Sequence, residues 1–181
     1  INCLQNEVIL NASSPNDPST YTISWNTING NIISGNNSLT PTVNLAGTYA
    51  ITITNISNGC TADATIEVLE DFTEPVTIAG PDLILDCNNT QINLDGSLSD
   101  DGTNFSNLWT DALNNLVATN NLNPNITQSG VYTLTITNNI NGCSASDEVI
   151  VTEDFATPNI IIQTIDELDC QIGSVVLDAS A

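Results

Sequence analysis

The sequence predicts an all-β fold of tandem β-sandwich domains in a linear array, and three observations predict it. Gly47-Thr48-Tyr49-Ala50-Ile51-Thr52-Ile53-Thr54-Asn55 returns 83 residues later as Gly130-Val131-Tyr132-Thr133-Leu134-Thr135-Ile136-Thr137-Asn138. In both copies apolar residues alternate with Thr or Ala, the period-two signature of a half-buried strand. Each copy runs on to Asn-Gly-Cys (Asn58-Gly59-Cys60 and Asn141-Gly142-Cys143). The Asn-Gly predicts the tight turn of a hairpin, because both residues tolerate positive φ cheaply. The spacing is also that of a domain: Cys3, Cys87 and Cys170 lie 84 and 83 apart, Trp25 and Trp109 84 apart, and Pro75 and Pro158 83 apart. Self-similarity at that period is the mark of an array.

The register divides the chain into repeat one (1–74), repeat two (75–157) and the start of a third (158–181). Repeat one has two residues before its first Cys where repeat two has twelve after Pro75, so its first strand is expected to be missing. The stub after Pro158 buries too little to fold alone. Within repeat two, Val76–Ala79 and Leu83–Asp86 read as a first strand broken at Gly80-Pro81. Gln91–Asp95 follows, with Ile92 and Leu94 inward. Phe105–Thr110 carries Trp109, and Leu116–Ala118 comes next. Leu122–Thr127 reads as an edge strand, since Pro124 cannot donate to a ladder. Val131–Asn138 and Ser146–Thr152 form the closing hairpin, with Val149 and Val151 inward. About seven short strands without helical periodicity indicate an immunoglobulin-like sandwich. Tyr132, just after a Gly at the start of the penultimate strand, fits a tyrosine corner, and Tyr49 holds the same place in repeat one. Trp25, Tyr49, Trp109 and Tyr132 are therefore assigned to the cores.

Composition removes several function classes. The 181 residues hold no Lys, Arg or His against 21 Asp plus Glu, a net charge of −21. Nothing can neutralise phosphates, which excludes nucleic acid as a partner. Anionic lipid is repelled, and no apolar run reaches the roughly 20 residues that span a bilayer. Catalysis by His or Lys has no residues to use. The absence of a signal peptide and the odd count of five Cys give the chain the look of an excerpt from a longer protein. Six Asn-x-Ser/Thr sequons, at Asn11, Asn36, Asn55, Asn88, Asn104 and Asn125, reflect the abundance of Asn and Thr; in a eukaryotic protein they would be glycan sites.

Ile92-Asn93-Leu94-Asp95-Gly96-Ser97-Leu98-Ser99-Asp100-Asp101-Gly102, Leu108-Trp109-Thr110 and the Gly130–Ile136 strand together resemble the PKD (polycystic kidney disease) domain pattern. Ala79-Gly80-Pro81-Asp82 resembles that family's first-strand break. With the Leu-Asp-Cys and Asn-Gly-Cys pair, the chain is similar to tandem repeats of very large Bacteroidota surface adhesins, including gliding-motility adhesins. The likeness covers repeat two closely and repeat one with Asn11-Ala12-Ser13 in place of Asp-Gly-Ser. It implies a secreted, non-enzymatic stalk or filament at the bacterial cell surface, whose partners are neighbouring repeats of the same long chain and, through self-association, other filaments. The alternative is an accessory carbohydrate- or protein-binding module of a secreted protein, which needs an exposed aromatic platform.

An exported, β-rich, His-free setting favours disulfides over metal thiolates. Two pairings are open. One is internal, Cys3–Cys60 and Cys87–Cys143. The other crosses the junction, Cys3–Cys143, leaving Cys87 and Cys170 for later repeats and Cys60 for an earlier one. Base rates favour the first. Sandwich topology favours the second, because Cys87 and Cys143 fall at opposite ends of a strand of roughly 23 Å, and a disulfide needs Cα atoms within about 7 Å. A last expectation concerns cations. The junction motif Glu70-Asp71-Phe72-Thr73-Glu74-Pro75 and the Asp95–Gly102 loop fall at one end of the sandwich. Glu70, Asp71, Glu74, Asp100 and Asp101 would there offer Ca²⁺ the oxygen ligands it prefers, against the plainer expectation of a solvated acidic surface.

Overall fold

The computed structural model describes residues 1–14, 17–162 and 179–180. The third repeat, and Cys170 with it, falls mostly outside them. Repeat one comprises β1 (Val8–Ile9), β2 (Tyr21–Ile28), β3 (Ile32–Ser34), β4 (Thr42–Val43), β5 (Gly47–Asn55) and β6 (Thr61–Val68). Repeat two comprises β7 (Leu83–Asp86), β8 (Ile92–Asn93), β9 (Phe105–Asp111), β10 (Leu116–Thr119), β11 (Asn125–Ile126), β12 (Gly130–Asn138) and β13 (Ser144–Asp154). Beyond it, β14 (Ile161–Ile162) pairs with β15 (Ala179–Ser180).

The alternation decides which face is buried. Along β12 the buried residues are Tyr132, Leu134 and Ile136, with Thr133 and Thr135 between them on the other face. In repeat two the sheet β10-β9-β12-β13-β7 packs on the pair β11-β8. Between them lie Leu85, Leu94, Trp109, Ile126, Leu134, Ile136, Val149 and Val151. Each such aliphatic side chain contributes about 1.5–3 kcal/mol by leaving water. In repeat one β2-β5-β6 and β1-β4-β3 enclose Leu10, Trp25, Val43, Tyr49, Ile51 and Val68. Tyr49 and Tyr132 donate their hydroxyls to the carbonyls of Leu45 (2.7 Å) and Gln128 (2.8 Å), four residues upstream, as a tyrosine corner does. The indoles of Trp25 and Trp109 donate to the carbonyls of Ser38 and Leu122. The architecture is an all-β, immunoglobulin-like sandwich, twice over.

Two features differ from the sequence expectation, and a third separates the two repeats. Val76–Ala79 pairs in no ladder. It is an extended segment held by side chains: Asp100 accepts the Val76 N–H (2.8 Å), Ser99 Oγ the Ile78 N–H (2.8 Å) and Asp147 the Ala79 N–H (2.8 Å). Only Leu83–Asp86 becomes a strand, running parallel to β13. Second, Asn-Gly does not make a two-residue turn. Residues 139–143 form a five-residue loop in which the Gly142 N–H donates to the Asn138 carbonyl (2.7 Å) and Gly142 takes φ +74. Third, β3 and β10 occupy matching positions yet pair differently. Asp111 accepts the N–H groups of Leu113 and Asn115 and folds a tight return that lays β10 beside β9. Thr27 stands there in repeat one, and the Tyr49 hydroxyl instead takes the Asn31 N–H, so β3 crosses to β4.

Candidate functional site

The chemistry of the chain is concentrated where the two repeats meet. Repeat one enters the junction through its first four residues. The Ile1 amino group donates to the Leu69 carbonyl (2.8 Å) and the Asp71 N–H to the Ile1 carbonyl (2.9 Å). Asn2 and Asp71 make a parallel bridge there, the counterpart of the Asp86–Asp154 pairing in repeat two. This seam turns Cys3 and Leu4 toward the 139–143 loop.

Cys3 is bonded to Cys143, with Cα atoms 5.1 Å apart and 140 residues between them in sequence. The internal pairing, Cys3–Cys60 with Cys87–Cys143, does not form; Cys60 and Cys87 are free and exposed. The reason is positional. β12 and β13 carry the Cys143 loop to the end of repeat two that faces repeat one, while β7 carries Cys87 to the other end.

Hydrogen bonds reinforce the bond. Leu4 N–H donates to the Asn141 carbonyl (3.2 Å), and its side chain lies on Gly142, where any Cβ would collide with it. The Asn141 amide donates to the Thr73 carbonyl (3.0 Å), and its oxygen accepts the Cys143 N–H (2.9 Å). At 1 % exposure Asn141 is a buried polar group whose bonds are made inside the junction. Its counterpart Asn58 is exposed. Sequence reasoning saw only a turn former in Asn141. Position 141 matches position 58 in type, so only the context of a preceding repeat could have separated them.

Of the five acids of the expected cation site, Asp71 and Asp100 accept backbone N–H groups. Asp71 accepts the Thr73 N–H (3.0 Å), which together with the Thr73 hydroxyl and Asn141 holds its carboxyl below the usual range. Asp100 is committed to Val76. Glu70, Glu74 and Asp101 are exposed. Among the described residues no three acidic, Cys or His groups gather as a metal site would require. The arrangement joins surfaces.

Among the described residues no helix is long and apolar enough to cross a membrane. No family model matches the chain. No curated protein matches it either. Solved structures similar to it include extracellular domains 3–5 of Drosophila OTK (17% identity, TM-score 0.41, 75% of this chain and 52% of that one). Others are the three N-terminal domains of the bacteriophage RB49 outer capsid protein Hoc (18%, 0.42, 93% and 60%) and a titin Z1Z2–Z1Z2 tandem (11%, 0.37, 77% and 87%). The chain thus spans about half of the OTK fragment and 60% of the Hoc fragment.

Proposed function

We propose that this chain is a structural repeat segment of an extracellular stalk or filament of a bacterial surface adhesin, which extends and stiffens that protein away from the cell. The observation that carries the reading is the junction: one disulfide, the Leu4–Asn141 backbone hydrogen bond and a buried Asn fix one sandwich against the next. Rigidity in such an array comes from nearest-neighbour contacts. A disulfide also fits an oxidising compartment outside the cytosol. The polysaccharide-binding alternative needs an exposed aromatic platform, yet Tyr21, Trp25, Tyr49, Trp109 and Tyr132 are all buried, and the exposed Phe72 and Phe155 sit in linkers.

Cys60 and Cys87 stand at opposite poles and provide the test. With Cys170→Ser, spin labels on both should give one narrow distance distribution by double electron–electron resonance. Adding Cys3→Ser and Cys143→Ser should broaden it. A broad distribution with the disulfide intact would sink the stiff-rod reading.

A further inference from the structure

Asn-Gly stands in the closing loop of each repeat, and the two loops are built alike. The Gly59 N–H donates to the Asn55 carbonyl (2.8 Å) and the Gly142 N–H to the Asn138 carbonyl (2.7 Å). The side-chain oxygens of Asn58 and Asn141 accept the N–H groups of Cys60 (3.0 Å) and Cys143 (2.9 Å). Both glycines sit at positive φ, +71 and +74. What differs is the cover. Asn58 is exposed, with nothing within 4 Å of where a Gly59 Cβ would stand. Asn141 is buried, its amide donates to the Thr73 carbonyl (3.0 Å), and the Leu4 side chain lies on Gly142.

The pair Asn-Gly is chemically labile. Glycine has no Cβ to hold its nitrogen away from the preceding Asn Cγ. Ring closure between them needs the two atoms aligned and about 3–3.5 Å apart. At position 141 that geometry is reached only by breaking the Gly142–Asn138 and Asn141–Thr73 hydrogen bonds and lifting Leu4. The burial also keeps out the water that completes the reaction. The same local bonds guard Asn58, but no cover does, so the junction alone separates the two sites.

We propose that Asn141 is a latent modification site, hydrolysed to aspartate or isoaspartate when the Cys3–Cys143 bond is open and shielded while it is closed. The Gly142 nitrogen gives up its proton and bonds to the Asn141 Cγ; the Cγ–Nδ2 bond breaks and ammonia leaves with a proton. Water then opens the cyclic imide at either carbonyl, and no oxidant or reductant is consumed. With the disulfide open, the Leu4 N–H and the Asn141 amide are left as single hydrogen bonds across the junction. Leu4 then lifts away whenever repeat one moves, a local opening that sets the rate. The change is one-way. A carboxylate at position 141 turns an acceptor toward the Thr73 carbonyl, and burying it there unpaired is costly. Isoaspartate also adds a methylene to the backbone two residues before Cys143, which carries the thiol out of register with Cys3. The inference rests on the junction and does not require the adhesin reading: an Asn141 that never converts would overturn this proposal and leave the distance test of the stiff rod untouched.

The test uses the full chain carrying Cys60→Ser, Cys87→Ser and Cys170→Ser, incubated in mildly alkaline buffer. Peptide mass spectrometry after Asp/Glu-directed cleavage follows both sites, with Asn58 as the internal clock. In the oxidised chain Asn141 should convert at least about tenfold more slowly than Asn58. Adding Cys3→Ser and Cys143→Ser should bring Asn141 to within about threefold of Asn58, while the Asn58 rate and the tryptophan fluorescence of both cores stay as before. A second measurement keeps the cysteines: the chain is reduced, aged and reoxidised, and molecules converted at position 141 should collect in the fraction that fails to reform Cys3–Cys143. Equal rates at the two sites in the oxidised chain would overturn the proposal. So would an Asn141 that stays protected without the disulfide, or converted molecules that reform the bond as readily as unconverted ones.

Discussion

Removing the cross-junction disulfide should destabilise each sandwich while the other remains folded. Suppose repeat one unfolds and repeat two stays intact. The bond then ties Cys3 to a fixed point on repeat two, and the free chain from Cys3 to the linker near Pro75 becomes a closed loop of roughly 70 residues. In the chain-entropy model that closure raises the free energy of the unfolded segment by about 4 kcal/mol. For the pair unfolded together the loop is the full separation of 140 residues, and the same model gives about 5 kcal/mol. A kilocalorie per mole moves the midpoint of a domain this size by about 4–8 °C. The variant Cys3→Ser/Cys143→Ser should thus lower the calorimetric midpoint of repeat one by about 15 °C or more. Scanning calorimetry of oxidised protein and variant reads this directly. A midpoint shift under about 3 °C would refute the reasoning, since even a several-fold overestimate of loop entropy leaves more than that.

Other outcomes follow from the same contacts. Asn141→Ala strands the Thr73 carbonyl and the Cys143 N–H, and should cost about 1–3 kcal/mol in denaturant unfolding, whereas Asn58→Ala in the exposed turn should stay within about 0.5 kcal/mol. The pH profile should peak on the acid side of neutrality. Asp17, Asp71, Asp95 and Asp111 are held below their ordinary 3.8, chiefly by the N–H or side chains of Ser19, Thr73, Ser97 and Asn115. Stability from these groups is complete above 3.8 and is lost as pH falls through their lower folded values, while the self-repulsion of a chain with net charge −21 weakens as pH falls. A melting-temperature maximum near about pH 4–5 is expected, and a monotonic fall from pH 7 would contradict it. Finally, NaCl and CaCl₂ at equal ionic strength should raise the midpoint equally; a saturable gain from submillimolar Ca²⁺ would show that Glu70, Asp71, Glu74, Asp100 and Asp101 do gather a cation.

Strand identity was legible because it is written in alternation: Tyr132, Leu134 and Ile136 face inward for the same reason that Thr133 and Thr135 do not. The repeat register also placed Cys3 and Cys143 at one junction, since Cys position relative to strands fixes which pole each occupies. Less was legible where polar side chains, and not backbone ladders, carry the pairing. Val76–Ala79 reads as a strand by composition but is held by Asp100, Ser99 and Asp147, residues distant in sequence. The sheet exchange of β3 turned on one position, Thr27 against Asp111, that propensity does not weigh. Which acids are engaged was not legible either. Nearness in topology said nothing of which carboxylates would be spent on N–H groups.

The disulfide also has a mechanical meaning. A load drawn along the chain passes from Cys3 straight to Cys143, so neither sandwich lies on the covalent path between them. The 140 residues of separation represent roughly 480 Å of extended contour. That length stays locked away: either domain can melt under tension without lengthening the span from residue 3 to residue 143. Ordinary tandem sandwiches yield by paying out one domain at a time. The span from residue 3 to residue 143 holds its length until a sulfur–sulfur bond is reduced, while β13, beyond Cys143, stays outside that shortcut.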